Sequence, residues 1–298
     1  MTIDLIVNPA SGPVVAGQAR QHRLAFAMER LRALGVTSIR PTQTTAMGDA
    51  TRAAADARRL RSDRVVVWGG DGTLNEVAAA LLEGDVPMAI VPGGSGNGLA
   101  RGLGVPLAVE DALRVAVAGT PHRIDTGRAS GRAFLNLAGV GFDAAVARRV
   151  NTDNMRRGLR PYVSAIFHEF RTCGPRAFSL ALDHGAAAVF DAHLVAVCNG
   201  QQYGHGARIA PHAAFDDGWL DVVVVPEITA RRLARHGWRL FNGTLAQVPG
   251  VWVARARHVI VSHSTPLPVH LDGEVVDGAT EHTFEIAPHS LPVILSNR

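Results

Sequence analysis

The chain has 298 residues, of which 47% are apolar, and a formal net charge of +4 at pH 7. All 30 basic side chains apart from histidine are arginine, because the sequence contains no lysine. The missing lysine excludes Schiff-base enzymes, Walker A nucleotide sites and kinases of the protein-kinase type, and the small charge excess, without runs of like charge, argues against a dedicated nucleic-acid partner.

The first 120 residues alternate short β-branched runs with alanine- and leucine-rich stretches, which is typical of a parallel sheet flanked by helices. The predicted strands are Ile3 to Val7, Val36 to Arg40, Val65 to Trp68 and Met88 to Val91. The predicted helices are Ala16 to Leu34, Gly48 to Leu60, Thr73 to Glu83 and Glu110 to Ala118. This pattern predicts an N-terminal α/β domain over residues 1–121.

Beyond His122 the pattern changes to strands separated by glycine- and proline-rich turns, which predicts a mostly antiparallel β domain over residues 122–298. The predicted strands are Phe178 to Asp183, Ala192 to Cys198, Leu220 to Val225, His258 to Ser262 and Thr283 to Ile286. Helical stretches are predicted near 143–172 and 227–247. A chain of this length favours two domains, with the ligand expected in the cleft between them.

Three predicted strands of the first domain run directly into glycine-rich turns. These turns are Asn8-Pro9-Ala10-Ser11-Gly12, Gly69-Gly70-Asp71-Gly72-Thr73 and Pro92-Gly93-Gly94-Ser95-Gly96-Asn97. Glycine lets a ligand approach the backbone, and helix N-termini attract phosphate. Any one turn could be ordinary loop structure, but three at the carboxyl edge of one parallel sheet predict a phosphate site.

Thr44 follows the second predicted strand, so its hydroxyl can face the same edge. Asp71, Thr73 and Asn75 lie at the start of the third predicted helix, whose apolar residues recur at helical spacing. Asp71 is either an N-cap or, beside a nucleotide triphosphate, a magnesium ligand.

The second half of the chain contains two acidic turns. In the first, Leu271-Asp272-Gly273-Glu274, two carboxylates lie on either side of a glycine. In the second, Ala214-Phe215-Asp216-Asp217-Gly218-Trp219, two carboxylates precede a glycine. Read alone, each sequence is explained by a turn, but a carboxylate can also take a proton from a hydroxyl nucleophile.

The stretch Glu227 to Leu245 is predicted to be an amphipathic helix. Arg231, Arg232, Arg235 and Arg239 form one arc, and Leu233, Ala234, Trp238, Leu240, Phe241 and Leu245 form the other. This pattern suits an ordinary helix packed on a core, or one lying at a membrane interface. No apolar, uncharged window of 18 residues and no secretory signal is present, so a cytoplasmic protein with peripheral contact at the inner membrane face is expected.

Taken together, the motifs resemble those of the diacylglycerol kinase catalytic-domain family, which includes bacterial diacylglycerol kinases and the sphingosine and ceramide kinases. The motifs are Asn8-Pro-x-Ser-Gly, Gly69-Gly-Asp-Gly-Thr-x-Asn-Glu, Pro92-x-Gly-Ser-Gly-Asn, Asp216-Asp-Gly with Leu220-Asp221, and Leu271-Asp-Gly-Glu. Ser95 stands where the family usually has threonine, and His205 where it often has glycine. The resemblance implies an NAD kinase/diacylglycerol kinase-like α/β fold followed by the antiparallel β domain.

The resemblance also implies a set of site residues. ATP would contact Asn8, Pro9, Ser11, Gly12, Thr44, Gly70, Asp71, Gly72, Thr73, Leu74, Asn75, Glu76, Ser95 and Asn97. Glu274 would be the general base, with Asp272 second, while Asp71 would steer magnesium and the phosphates. A structural Mg²⁺ would be bound by the Asp217 carboxylate and the carbonyls of Ala214 and Trp219.

The expected function is therefore ATP- and Mg²⁺-dependent phosphorylation of a hydroxyl on diacylglycerol or a related sphingoid lipid, by a homodimer. Two alternatives stay open. NAD kinases share the Gly-Gly-Asp-Gly-Thr motif, and a nucleotide-gated lipid-binding regulatory protein without turnover would share the loops.

Overall fold

A computed structural model describes residues 1–12, 22–152, 174–204 and 206–297. The chain forms two compact units, one of Met1–Ile124 with His289–Arg298 and one of Asp125–Pro288. The predicted boundary near residue 121 lies three residues before the end of the first segment, whereas the C-terminal segment belongs to the first unit. His205 and the predicted helical residues 16–21 and 153–172 lie outside the described residues.

The helices and strands follow in chain order. The helices are α1 (Arg23–Ala33), α2 (Asp49–Arg59), α3 (Asp71–Leu81), α4 (Gly98–Gly102), α5 (Val109–Ala118), α6 (Phe142–Thr152), α7 (Ala230–His236) and α8 (Arg239–Asn242). The strands are β1 (Thr2–Val7), β2 (Ser38–Gln43), β3 (Arg64–Gly69), β4 (Met88–Pro92), β5 (Thr120–Ala129), β6 (Arg132–Phe134), β7 (Leu137–Gly141), β8 (Arg176–Leu182), β9 (Ala188–Ala192), β10 (Leu194–Cys198), β11 (Leu220–Val225), β12 (Trp252–Ala256), β13 (His258–Leu271) and β14 (Glu274–Leu295).

The first unit is built on a parallel sheet with the order β2-β1-β3-β4. The end of β14 extends it, with Val293 paired in parallel with Met88. Strand β3 contains Val65, Val66 and Val67, which are all fully buried, because helices cover both faces of such a sheet. The loops after β1, β3 and β4 therefore lie at the same edge of the sheet.

The second unit is an antiparallel sheet with the order β12-β11-β10-β7-β13-β14, and β8 pairs with both β13 and β9. Strands β13 and β14 are much longer than predicted, because the pairing continues past Ser262 through two register shifts. The predicted strand at Ala192 to Cys198 is two strands, β9 and β10, that meet at His193. The parallel α/β half and the antiparallel β half confirm the predicted fold class.

The predicted helix at 227–247 is wrong in its continuity, because two short helices, α7 and α8, occupy the stretch. Leu240 and Leu245 of the predicted apolar arc pack against a buried cluster of the second unit. Leu233, Trp238 and Phe241 of the same arc are exposed. Within the described residues, no helix is long and apolar enough to cross a membrane.

Candidate active site

The three glycine-rich loops of the first unit pack backbone against backbone. Gly12 adopts φ +69°, and a Cβ at this position would overlap the carbonyl oxygen of Gly93. A Cβ on Gly94 would lie 2.9 Å from the Gly70 Cα, and Gly93 N–H donates to the Gly69 carbonyl at 2.7 Å. These contacts leave no room for side chains, so the glycines are required for the loops to meet.

Side chains add a second link between the first two loops. Asn8 Nδ2 donates to Thr73 Oγ1 at 2.8 Å, while Asn8 Oδ1 accepts the Ala10 N–H at 2.9 Å. Ser11 is buried, and its hydroxyl donates to the Asn8 carbonyl at 2.8 Å. The predicted residues Asn8, Ser11, Gly12 and Thr73 are thus brought together, with Asn8 tying the β1 loop to the start of α3.

Helix α3 begins without a side-chain cap. Its N-cap residue is Gly70, which is in an extended conformation and has no side chain to accept from the first turn. The first N–H groups of a helix have no partner within the helix and carry a partial positive charge. The start of α3, which includes Asp71, Gly72 and Thr73, is therefore suited to bind an anion such as a phosphate group.

Asp71 is the one acidic residue of that first turn. Its Oδ1 accepts the Leu99 N–H at 3.4 Å, so the carboxylate faces the start of α4. Burial raises the pKa of Asp71, while backbone hydrogen bonds from Leu99, Gly98, Asp71 itself and Asn97 act in the opposite direction. A carboxylate that burial disfavours gains most when a cation compensates its charge.

Four other predicted nucleotide residues shape the loops. Thr44 is buried at the end of β2, where its N–H donates to the Val7 carbonyl at 3.0 Å. Asn97 adopts φ +49° and closes its loop on Gly94, accepting from the Gly94 N–H at 2.8 Å and donating to its carbonyl at 3.0 Å. Glu76 Oε2 accepts the Gly48 N–H at 2.9 Å, which fixes the start of α2. Leu74 is buried in the core, so its side chain packs in the unit's interior.

The last three predicted nucleotide residues are more accessible. Ser95 is exposed at the tip of its loop, and Pro9 and Asn75 are half-buried. An exposed hydroxyl between Gly94 and Gly96 is free to reach a ligand at the loop surface.

Arg23 is a residue of the site that sequence reasoning missed. It is buried, its Nη1 donates to the Ser11 carbonyl at 2.9 Å and to Ser11 Oγ at 3.3 Å, and its guanidinium lies 5.5 Å from the centre of the Trp68 ring. An arginine in a predicted helix suggests surface charge, and no sequence pattern marks this one as buried. Its hydrogen bonds to Ser11 therefore stabilise the loop after β1 from the buried side.

In the second unit, Asp272 and Gly273 form a two-residue hairpin turn between β13 and β14, and Glu274 is the first residue after it. Asp272 and Gly273 have φ +49° and +89°, which suits a tight turn of the kind that joins antiparallel strands. The Asp272 carboxylate accepts three backbone N–H groups, from Leu135 at 2.6 Å and from Asn136 and Leu137 at 2.9 Å.

Glu274 is arranged differently from Asp272. Its side chain is 38% exposed, and Oε2 accepts from Arg132 Nη2 at 2.6 Å. Asp272 therefore holds the β6–β7 connection in place, whereas Glu274 presents a solvent-accessible carboxylate beside an arginine.

The predicted magnesium loop at 214–219 precedes β11 in the second unit. Asp217 Oδ1 accepts the Trp219 N–H at 3.1 Å, and its other oxygen pairs with Arg255. The buried Asp221 lies 3.6 Å from the same arginine, and its Oδ2 has no hydrogen-bond partner among the described residues. Burial raises the pKa of Asp221 to about 6, with His212 opposing.

Carboxylate and carbonyl oxygens are the ligands that Mg²⁺ prefers, and a buried carboxylate oxygen without a hydrogen bond suits a nearby cation. The oxygen donors of this loop are therefore of the kind that fits a magnesium ion, whereas in this structure Arg255 pairs with Asp217. Among the described residues there is no cluster of three His, Cys, Asp or Glu side chains that could hold a metal, so a site here depends on backbone carbonyls.

Asp125 supports the same loop and was not predicted. It is fully buried, its Oδ2 accepts the Gly218 N–H at 2.7 Å, and its N–H bonds to the Phe215 carbonyl. Asn199, also fully buried, donates to the carbonyls of Asp125 at 2.9 Å and Leu135 at 2.7 Å. This network joins the magnesium loop to the segment that Asp272 holds.

Comparisons with known proteins match both halves of the chain. Residues 2–129 match the family model for the diacylglycerol kinase catalytic domain, and residues 136–295 match that for the YegS C-terminal NAD kinase beta sandwich-like domain. A diacylglycerol kinase of Mycobacterium tuberculosis is 31% identical over 278 residues, which cover 91% of this chain and 88% of that protein.

Solved structures share the fold at lower identity. A diacylglycerol kinase of Bacillus anthracis superposes with a TM-score of 0.73 at 22% identity, covering 99% of this chain and 97% of that one. An NAD kinase of Archaeoglobus fulgidus, solved with ATP, gives 0.56 at 15% identity, covering 99% and 94%. At these identities the likeness concerns the fold alone.

The sequence relationship goes further than the fold, because a relative above 30% identity covers nine-tenths of the chain and the two family models follow each other along it. The resemblance seen in the motifs is confirmed: the chain is a kinase that belongs to the diacylglycerol kinase catalytic-domain family of lipid kinases.

Proposed function

We propose that the protein transfers the γ-phosphoryl group of ATP to a hydroxyl of diacylglycerol or a related sphingoid lipid, with Mg²⁺ as cofactor. The observation that carries this proposal is the uncapped start of α3, set against the loops at Gly12 and Gly94. Backbone N–H groups and the helix dipole bind phosphate without a lysine, which suits a chain that has none.

In this proposal the first unit binds the nucleotide. Asn8, Thr44, Thr73 and Ser95 supply polar groups around the phosphates, and Asp71 carries the negative charge that a metal-bound triphosphate requires nearby. Phosphoryl transfer depends mostly on positioning and on neutralisation of charge, so a rigid loop cluster is an appropriate catalyst. Magnesium bound with ATP supplies that neutralisation on the phosphate oxygens.

The second unit supplies the base. We assign this role to Glu274, because its carboxylate is accessible, whereas both oxygens of Asp272 already accept backbone N–H groups. The lipid hydroxyl oxygen forms the new bond to the γ-phosphorus while the bond to the β-phosphate bridging oxygen breaks. The hydroxyl proton passes to Glu274, and ADP leaves.

We further propose that Ala214, Asp217 and Trp219 bind a structural Mg²⁺ and that the protein is a cytoplasmic homodimer. The all-oxygen donor set and the buried Asp221 oxygen support the metal. The family relationship supports a lipid acceptor, which an enzyme working from the cytoplasm would meet at a membrane surface.

A transfer assay tests the reaction. The protein is incubated with Mg²⁺ and γ-labelled ATP in the presence of diacylglycerol, ceramide, sphingosine or NAD, each offered separately. We expect label in one or more of the lipids. Label in NAD alone would overturn the proposal in favour of an NAD kinase, and ATP binding with no transfer to any acceptor would favour a regulatory protein.

A further inference from the structure

The segment from α7 to α8 exposes an unusual set of side chains on the second unit. Gly237 and Trp238, which join the two short helices, keep right-handed helical dihedrals, so the side chains of the whole segment follow helical spacing. At about 100° per residue, Phe241 lies roughly 80° and Trp238 roughly 140° around the axis from Leu233. Arg231 and Arg235 continue that arc. We call these five side chains the Trp238 surface.

Arg232, Arg239 and Leu240 anchor the segment to the protein, and the Arg239 guanidinium also lies 5.0 Å from the centre of the Trp238 ring. Arg232 donates to the carbonyls of Glu227 at 3.0 Å and Pro249 at 2.8 Å, and Arg239 donates to Thr244 Oγ1 at 3.3 Å and Gln247 Oε1 at 2.8 Å. Leu240 packs against the buried cluster below. These contacts fix which side chains face outward.

The outward apolar side chains are large and accessible. Leu233 is 44% exposed, Trp238 56% and Phe241 60%. Exposed apolar residues scattered singly need no explanation, but three within nine residues on one arc mark an interaction site. Among the described residues, Trp238 and Phe241 are the exposed phenylalanine and tryptophan side chains.

The charged side chains within and after this surface in the sequence are positive, although the exposed Glu227 precedes it. No aspartate or glutamate occurs from Ile228 to Leu271, whereas six arginines do. Neither Arg231 nor Arg235 forms an ion pair with any described residue, and both are exposed. Burial, and then repulsion from Arg235, Arg239 and Arg232, lowers the pKa of the nearby His236.

We propose that the Trp238 surface docks the protein on an anionic lipid bilayer. Tryptophan and phenylalanine enter the boundary between headgroups and acyl chains, while arginines at the edge pair with lipid phosphates. These five side chains include two exposed arginines without ion pairs to described residues, which complement an anionic bilayer in charge, and this favours a membrane over an uncharged partner. The inference rests on the proposed lipid kinase function, which requires access to a membrane-embedded acceptor.

Vesicle sedimentation tests the docking. The full chain is mixed with phosphatidylcholine vesicles that contain or lack phosphatidylglycerol, at low and high salt. We expect binding to the anionic vesicles alone and a loss of binding at high salt. Replacing Arg231 and Arg235 by glutamine should weaken binding on the order of 30-fold, since each arginine near an anionic surface contributes about a factor of five. Trp238→Ser with Phe241→Ser should also release the protein.

Matched control variants use exposed residues of the first unit. Arg32→Gln with Arg59→Gln, and Leu60→Ser with Leu107→Ser, remove the same charge and similar apolar area elsewhere, and should leave vesicle binding unchanged. Equal losses from the control and test variants would overturn the proposal. So would sedimentation velocity showing that Trp238→Ser with Phe241→Ser dissociates a dimer while vesicle binding is kept, because the surface would then bind a second copy.

A kinase assay separates this inference from the proposed function. On a short-chain diacylglycerol that is monomeric in solution, the docking variants should keep wild-type turnover, and on vesicle-embedded diacylglycerol they should lose it in proportion to binding. If wild type phosphorylates neither lipid but still binds vesicles through this surface, the proposed function fails and the docking stands. If wild type and all variants phosphorylate vesicle-embedded diacylglycerol equally well, the docking proposal fails and the proposed function stands.

Discussion

Gly12 lies so close to Gly93 that a single methyl group added to Gly12 would overlap the Gly93 carbonyl oxygen. We therefore expect Gly12→Ala to destabilise the protein by roughly 1–3 kcal/mol through overpacking and to weaken ATP binding. Gly104 provides a matched control, with φ +70° and no atom within 4 Å of the new Cβ. Urea unfolding and nucleotide titration of both variants check this. Equal losses of stability at the two positions would show that the left-handed backbone conformation, and not overpacking, causes the destabilisation.

Asp71→Asn should separate function from folding. Because burial raises the pKa of Asp71, its charge disfavours the folded, unliganded protein at neutral pH, and the amide should leave the free energy of unfolding unchanged or slightly higher. Turnover should fall on the order of 100-fold, as expected when a preorganised charge in a site is removed. Steady-state kinetics and urea unfolding measure the two effects, with the exposed Asp56→Asn as control. A fully active, destabilised Asp71→Asn protein would assign the residue to folding alone.

Glu274 and Asp272 should respond differently to amide substitution. Glu274→Gln should lower turnover by about 10²–10⁴-fold, the usual contribution of a general base, while ATP affinity and stability stay close to wild type. Asp272→Asn should lower the free energy of unfolding by about 1–3 kcal/mol, since it weakens bonds to three buried N–H groups. Transfer assays and denaturation curves on both variants distinguish the roles. If Glu274→Gln stays active and Asp272→Asn is stable but inactive, the two assignments are reversed and Asp272 is the base.

Magnesium should stabilise the unliganded protein through the loop at 214–219. Saturation at 100 times the Kd would add about 2.7 kcal/mol, which a chelator should remove. Asp217→Asn should abolish the effect, whereas Asp216→Asn, which changes the exposed neighbouring carboxylate, should keep it. Thermal unfolding with and without Mg²⁺ measures this independently of activity. A magnesium response that survives in Asp217→Asn would place the ion elsewhere.

The contribution of Asp49 to stability should disappear at low pH. The backbone N–H groups of Thr45 and Ala46, and then the Thr45 hydroxyl, lower the pKa of Asp49 to about 2. Because this is below the value of about 3.9 in an unfolded chain, the stabilisation is present above pH 4 and is lost as the pH falls towards 2. Urea midpoints of wild type and Asp49→Asn should therefore differ at pH 5 and converge only as the pH falls below about 2. A constant difference across that range would contradict the prediction.

The sequence predicts the first unit better than the second for a physical reason. Buried parallel strands such as Val65 to Val67 are short apolar runs that end in glycine, so both the strand and its loop can be read from local residues. In β13 and β14, by contrast, Pro266 and Pro268 lie inside the pairing, which shifts register around Leu267. Proline normally argues against a strand, so sequence reasoning ended β13 at Ser262.

The same limit applies to the site. Glycine loops and acidic turns are contiguous in sequence and were all predicted, whereas Arg23 and Asp125 act through partners that the fold brings to them. Arg23 contacts Ser11 across a segment of twelve residues, and Asp125 contacts Gly218 across 93. The residues next to Arg23 and Asp125 in the sequence form no motif that marks either one as part of the site. On α7 and α8, periodicity located the apolar arc, but only tertiary structure shows that Leu240 packs inward while Trp238 and Phe241 of the same arc are exposed.

The first unit is discontinuous in the chain, and this determines the order in which the protein can fold. Val293 pairs with Met88 at the edge of the parallel sheet, so that sheet lacks this strand until Val293 has been synthesised. The second unit, encoded between the two segments, can fold first as an insertion. An N-terminal fragment ending near residue 124 would have an unpaired, apolar β4 edge, and we expect such a fragment to aggregate rather than to act as an independent nucleotide-binding module.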